Sequence, residues 1–308
     1  MKRILICAAA AIVALASCSK TQVVYNDAPE EIGFKAVTGA MTKAGTTLDE
    51  HTTMGVYAHY SADKTQYFLN AEFISDEPSW RGRTPKYWPL GAANLDFVFY
   101  APFSSTVAVA RNYTTDPEAN NLVIPVNNRD EQTNWLYGDA MKTGNKSTAI
   151  GDVSPTMKHL LAKITINLTG TVTLKQMTLT GTEQEETATI NYGVNPVTVN
   201  WTNENAAKDW TFLTEDVTLG AVVGTNTFTC YVIPTTDQTS ITLNYALSGG
   251  AATDYTIDLS TLDNWKAGYN YIYNIIVEPG EILFTPQVEP WIEEDSDIQF
   301  NEGQGSFI

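Results

Sequence analysis

The stretch MKHLLAKITINLTG, residues 157–170, decides the fold class. From Ala162 onward, Ala162, Ile164, Ile166 and Leu168 alternate with Lys163, Thr165 and Asn167. A period of two sends successive side chains to opposite faces of a strand, so the stretch predicts a β-strand with one apolar face. The same period continues on both sides of it. NLDFVFYAP (94–102) puts Leu95, Phe97, Phe99 and Ala101 on one face. SITLNYAL (240–247) sets Ile241, Leu243, Tyr245 and Leu247 against Thr242, Asn244 and Ala246. YNYIYNIIV sets Tyr269, Tyr271, Tyr273, Ile275 and Val277 against Asn270, Ile272, Asn274 and Ile276. Thr, Val, Ile and Tyr dominate these runs, as pleated surfaces favour. Gly, Asn, Asp and Pro separate them at short intervals, a spacing that predicts antiparallel β-sandwiches rather than βαβ units. TTDPEANN (114–121) and EDSDIQ (294–299) read as turns, and past the N-terminal leader no segment has helical periodicity.

The leader begins Met1-Lys2-Arg3 and is apolar over residues 4–16. Two basic residues, a short apolar run and small residues at its end describe a secretory signal peptide, too short to span a bilayer. Leu15-Ala16-Ser17-Cys18 reads as a bacterial lipobox, with the Cys18 thiol accepting diacylglycerol before cleavage. Acyl chains contribute about 0.8 kcal/mol per buried methylene, so a multiply acylated Cys18 anchors the mature chain to a membrane. Residues 19–31 are polar and read as a tether. Cys7 leaves with the leader and Cys18 carries lipid, so Cys230 is left without a disulfide partner. The secreted chain must therefore be held by buried apolar surface, which its length allows.

The formal net charge is −17. Such a surface repels nucleic acid and anionic lipid, and both are set aside as partners. With 308 residues the chain has room for two domains, and NKSTAIGDVSPT (145–156) is the best break. The expected division is a signal peptide over 1–17, a tether over 18–31, one sandwich over 32–150 and a second over 151–308 ending in an extended tail.

Motifs for chemistry are missing. There is no G-x-S-x-G and no H-E-x-x-H, and GDAMKTGNKS (138–147) lacks the spacing of a phosphate loop. His51, His59 and His159 have no companion ligands in sequence, and no pair of carboxylates is singled out. No catalytic residue, metal or cofactor is expected. SWRGRTPKYWPL (79–90) gathers Trp80, Tyr87 and Trp88 near Arg81, Arg83 and Lys86. Flat rings of this kind stack on sugars; the plainer reading has Tyr87 and Trp88 plugging the core ahead of a strand.

In EEIGFKAVTGAMTKAGTTLDE (30–50), Ile32, Phe34 and Ala36 alternate with Gly33, Lys35 and Val37, which predicts a strand over 32–37. Gly39, Thr42, Lys43, Ala44, Gly45 and Thr46 then form a small, exposed run with one basic residue. Proteases cut such runs. The plainer reading is a hairpin loop; the sharper one is a trypsin-like cut between Lys43 and Ala44 that frees the first strand, with 32–43 the removable segment.

The chain resembles the fimbrillin family, pilin-like subunits of type V pili, and in particular its minor-fimbrillin-like branch. The resemblance lies in LASC, IGFKAVTG followed by TKAG and MGVYAHY, KYWPLGAANLDFVFYAP, MKHLLAKITINL, KAGYNYIYNIIV and ILFTPQVEPW, in that order along the chain. It implies two transthyretin-like β-sandwiches, mostly antiparallel, in an outer-membrane lipoprotein that builds fimbriae for cell adhesion at the cell surface. A surface protease cuts after a basic residue, here Lys43 where many members have Arg. The N-terminal strand leaves with its lipid, and an extended strand of another pilin fills the groove, in a homo- or hetero-polymer. The strand that leaves contributes Ile32, Phe34 and Ala36. The candidate donor is the C-terminal tail, whose apolar residues are Ile298, Phe300, Phe307 and Ile308; the plainer reading has Ile282–Ile292 and this tail closing their own domain. The alternative is a surface lipoprotein that keeps all its strands and binds host or bacterial glycans or proteins through exposed aromatics.

Overall fold

The computed structural model of the chain describes residues 29–35, 37–38, 51–76, 79–91, 93–111, 120–127, 132–148, 150–182, 185–203, 208–213, 215–220, 226–236, 238–247, 250–278 and 280–291. These are nearly all β, with one helical turn at Ile150–Val153. The strands form four sheets.

The largest sheet has nine strands. Its path runs Gly33–Phe34, Ser79–Gly82, Gln66–Asp76, Thr53–Tyr60, Leu95–Ala101, Leu136–Gly138, Thr156–His159, Val37–Thr38, and Lys142–Gly144 also pairs with Leu95–Ala101. A second sheet orders Asn226–Val232, Ala162–Gly170, Tyr269–Glu278 and Glu281–Pro290. The third orders Lys208–Thr211, Thr173–Thr182, Ser240–Ala246 and Ala252–Asp258, with Val217–Thr218 beside Thr173–Thr182. The fourth orders Thr198–Asn203, Glu185–Asn191, Asn120–Asn127 and Ala108–Arg111, so it joins strands from both sides of the expected break near residue 150. Most pairings are antiparallel, as expected. Two are parallel: Ala162–Gly170 with Tyr269–Glu278, and Thr156–His159 with Val37–Thr38.

Three apolar clusters sit on these sheets. Between the second and third sheets pack Ala162, Ile164, Ile166 and Leu168 from one side and Leu174, Met177, Leu179, Ile241 and Leu243 from the other. The alternation in residues 157–170 is therefore the inner face of a strand. The nine-stranded sheet buries both faces. Leu95, Phe97, Phe99 and Ala101 point into one cluster with Ile32, Phe34, Met54, Val56 and Phe73. Val98 and Tyr100 point into another, shared with Leu122, Ile124, Ala188 and Ile190 of the fourth sheet. Gly55 admits the Tyr100 ring: a Cβ there would lie 2.1 Å from ring carbons.

Two sequence expectations need correction. Along residues 240–247 the alternation stops at Tyr245, which is only partly buried, while Ala246 is buried and Leu247 is 41% exposed. The pairing with Thr173–Thr182 shifts register between Leu174 and Gln176, opposite Tyr245 and Asn244, so the regular inward row ends there. In YNYIYNIIV the inward row holds from Tyr271 to Val277, but Tyr269 at its start is exposed.

Candidate assembly site

Gly33–Phe34 and Val37–Thr38, the two ends of the nine-stranded path, are pieces of one short segment. That segment leaves one edge of the sheet and reaches the other. On the first side Gly33 lies opposite Arg81 and Phe34 opposite Trp80, antiparallel. Glu31 bridges Tyr87, Ile32 N–H donates to Lys86 C=O at 2.7 Å, and Trp88 N–H donates to Glu30 C=O at 2.9 Å. At the turn to the far side Lys35 N–H donates to the Ser154 hydroxyl. There Val37 lies opposite Thr156 and Thr38 opposite Met157, parallel.

The segment also plugs a core. Ile32 and Phe34 are both 0% exposed. The Phe34 ring centroid lies 5.0, 5.2 and 4.9 Å from those of Phe73, Phe97 and Phe99, the last two edge-on. Edge-to-face pairs of this kind contribute about 0.5–1.5 kcal/mol each beyond the area they bury. The inward set expected from sequence thus holds for Ile32 and Phe34. Ala36 lies outside the described residues, as do Cys18, Lys43, Ala44, Ile298, Phe300, Phe307 and Ile308.

The aromatic run 79–90 divides. Trp80 and Trp88 are 5% and 8% exposed and belong to the same cluster as Phe34, while Tyr87 is 43% exposed. Trp88 plugs the core as the plainer reading has it, and Tyr87 does not. Of the three rings in this run, Tyr87 alone stands exposed.

The polar clusters are structural. Buried Asp96 accepts hydrogen bonds from the Ser61 and Thr143 hydroxyls and from Lys64 Nζ, with His59 Nε2 at 3.5 Å. Burial pushes its carboxyl up, but the Thr143, Ser61 and Lys64 contacts outweigh this and hold it below the usual carboxylate range. The Ser61 hydroxyl donates to the carboxylate at 2.7 Å. Among the described residues no three His, Cys, Asp or Glu side chains converge as metal ligands.

A second feature was not legible in the sequence. Trp291 follows the last strand and is 4% exposed. Its ring stacks on His159 at 3.6 Å and 10°, and lies parallel to Tyr231 at 5.1 Å. Lys163 Nζ sits 5.5 Å from the same ring, and Trp291 N–H donates to Gly268 C=O. His159 belongs to the strand that pairs with Val37–Thr38. Its Nδ1 lies 2.9 Å from Asn134 Oδ1.

The stack has a pH signature. Burial, then repulsion from His51 and Lys163, pushes the His159 imidazole down to about 3. The unfolded value is about 6.5. A depressed folded value means the stabilisation is complete above pH ~6.5 and is lost as pH falls toward ~3. From pH 6.5 to 5 the expected loss is about 1.6 kcal/mol in urea unfolding, and His159→Gln should flatten that slope. An unchanged slope in the variant would show that His159 is not the titrating group.

The model of the fimbrillin-like family matches residues 41–291. The chain belongs to the fimbrillin-like family. It is a fimbrial structural protein, not an enzyme. No curated protein matches the sequence. Among solved structures, a candidate cell adhesion protein from Bacteroides uniformis is similar at TM-score 0.58 and 18% identity, covering 85% of this chain and 98% of its own. A candidate cell adhesion protein from Bacteroides ovatus gives 0.58 and 15%, covering 87% and 99%. A fimbrial protein from Bacteroides vulgatus gives 0.56 and 14%, covering 85% and 99%. These likenesses are of fold. The fimbrillin-like match begins after the 31–38 segment and ends at Trp291.

Proposed function

We propose that this fimbrillin-like chain is a pilus subunit exported as a lipoprotein on Cys18 and assembled at the outer membrane by strand exchange. A surface protease cuts between Lys43 and Ala44, the 31–38 segment departs with its lipid, and an extended segment of another pilin takes its place. A division into two sandwiches, expected over 32–150 and 151–308, belongs to the same proposal, with Thr156–His159 and Glu185–Asn191 pairing across that boundary and Thr198–Asn203 joining the sheet of the latter. One observation carries the reading: the segment upstream of Lys43 closes both ends of the nine-stranded path and plugs the core with Phe34. Its loss leaves unpaired N–H and C=O groups on Ser79–Gly82 and Thr156–His159, together with an apolar slot. An incoming strand satisfies both needs at once. A head-to-tail contact that does not close on itself yields a fibre.

Mass spectrometry of surface material tests this. The expected mature N-terminus is Ala44, in SDS-resistant ladders, and Lys43→Gln should leave a lipid-bearing monomer. Protein trimmed at Ala44 that stays monomeric and fully folded at high concentration would end the proposal.

A further inference from the structure

We propose that residues 24–28 extend the first strand toward its N-terminus and cover an open rim of the core that holds Phe34. These residues lie outside the described ones, and in sequence they belong to the polar tether over 19–31. What the docked segment does rests on the lipoprotein and strand-release reading above; the docking itself does not. Leu90, Tyr60 and Tyr67 form the rim. Leu90 is 79% exposed, two residues after Trp88, which is buried in the cluster. Tyr60 and Tyr67 pack on the same cluster and stay partly exposed, with their rings edge-on at 5.3 Å. The Tyr67 hydroxyl donates to Tyr87 C=O at 2.7 Å, which ties the tyrosines to the chain leading into Leu90.

The backbone already points the occupant at this rim. Ile32 N–H donates to Lys86 C=O and Trp88 N–H donates to Glu30 C=O, so residues 30 and 32 face 88 and 86 in an antiparallel run. One step upstream, Pro29 comes opposite Pro89. In an antiparallel ladder this is a non-hydrogen-bonded pair, whose N–H groups point away from the partner, so two prolines there remove no ladder bond. The next hydrogen-bonded pair joins Ala28 to Leu90. Side chains two apart share a face, which puts Ala28 and Leu90 in the row of Ile32 and Trp88, at the edge of the core. Past Leu90 the wall turns away at Gly91, whose φ is +83°. Residues upstream of Ala28 therefore meet side chains rather than backbone.

Composition and length name the segment. Val23-Val24-Tyr25 is the apolar part of the tether, and Val and Tyr favour strands. By the period of two, Val24 falls in the row of Ala28 and Ile32. From Ala28 back to Val24 the chain spans up to about 14 Å, comparable with the roughly 11 Å of chain between Leu90 and Tyr87, where the Tyr67 hydroxyl is held. Docking shortens the free tether. From Cys18 to Val24 the chain reaches at most about 22 Å, against about 47 Å from Cys18 to Glu31. The uncut lipoprotein is thereby held close to its membrane, and the first strand, the docked segment and the lipid depart as one piece.

Amide hydrogen exchange of the full lipoprotein in detergent micelles tests the docking. Residues 24–28 should exchange roughly tenfold or more slower than an unstructured chain. Leu90→Asp, at an exposed position, should abolish that protection while residues 31–34 stay protected. Free exchange in the wild type overturns the proposal, and so does protection that Leu90→Asp leaves unchanged. Disulfide trapping reads the register independently, since Cys230 is buried and Cys18 carries lipid in the reading above. Ala28→Cys with Leu90→Cys should close a bond, because Cα atoms of a hydrogen-bonded pair lie about 5.5 Å apart. Gln22→Cys with Leu90→Cys should not. Bonds formed equally by both pairs mean a freely moving tether and overturn the proposal. Neither readout needs cleavage or a second subunit. A protected tether on a chain that is never cut at Lys43 leaves the docking standing and ends strand exchange, and a free tether on a chain that forms ladders does the reverse.

Discussion

Phe34→Ala is expected to lower the unfolding free energy of the uncut chain by about 3–5 kcal/mol, and to leave the chain cut after Lys43 untouched. The first part follows from packing. Phe34 is wholly buried among three other phenylalanines, and removing a ring from such a place loses its transfer energy and leaves a cavity. The second part follows from the strand-exchange proposal, under which Phe34, upstream of Lys43, departs with the cut segment. Urea unfolding of both forms reads the difference directly. Folding stabilities of small domains are about 5–15 kcal/mol, so the uncut variant should already show partial opening. Opening should raise amide exchange along Ser79–Gly82 and Thr156–His159, the two strands that the segment covers. The assembly reading sharpens this. A weakened plug should let uncut Phe34→Ala take up an added tail peptide that the wild type excludes. An equal loss of stability in cut and uncut protein would mean that the segment stays in place after cleavage, and the plug would then be a permanent part of the core.

The legible parts of the molecule are those where one strand face meets one core. Residues 162–168 and 271–277 alternate because their inner faces share a cluster, while their outer faces carry Lys163, Thr165 and Asn167 in the first and Ile272, Asn274 and Ile276 in the second. Leu95–Ala101 was harder. Both its faces are buried, and Asp96 looks like a solvent-facing residue until Ser61, Lys64 and Thr143 are seen to satisfy it. Ile32 and Phe34 were recognisable as an inward pair from their spacing. That Gly33–Phe34 and Val37–Thr38 bind opposite ends of one sheet was not, since pairings of two residues leave no local signal and their partners are fixed by the path of the whole chain. The ranges Ser79–Gly82 and Thr156–His159 were missed as walls of the site for the same reason. Of the aromatics in residues 79–90, Trp80 and Trp88 enter the core and Tyr87 does not, a division that sequence proximity alone does not give.

Trp291→Ala is expected to cost about 3–5 kcal/mol, as large as the plug, although no sequence pattern marks it. Its ring brings together His159 from the nine-stranded sheet with Lys163 and Tyr231 from the second sheet. Truncation removes that contact from both partners and opens the cover over His159. The imidazole should then titrate nearer its ordinary value of about 6.5, because burial, the main cause of its depression, is relieved. The variant should therefore be less stable at pH 7 yet lose less on going to pH 5. NMR titration of His159 alongside urea unfolding separates this from general loosening, which would lower stability at both pH values by the same amount. Trp291→Phe keeps a flat ring and should recover much of both effects. The same substitution bears on assembly, since the candidate donor tail follows Trp291 directly in the sequence. If the tail needs a fixed origin to reach a neighbour, Trp291→Ala should shorten ladders even at pH 7 and at temperatures where the variant remains folded. Ladders of unchanged length from a folded Trp291→Ala would confine the stack to stability.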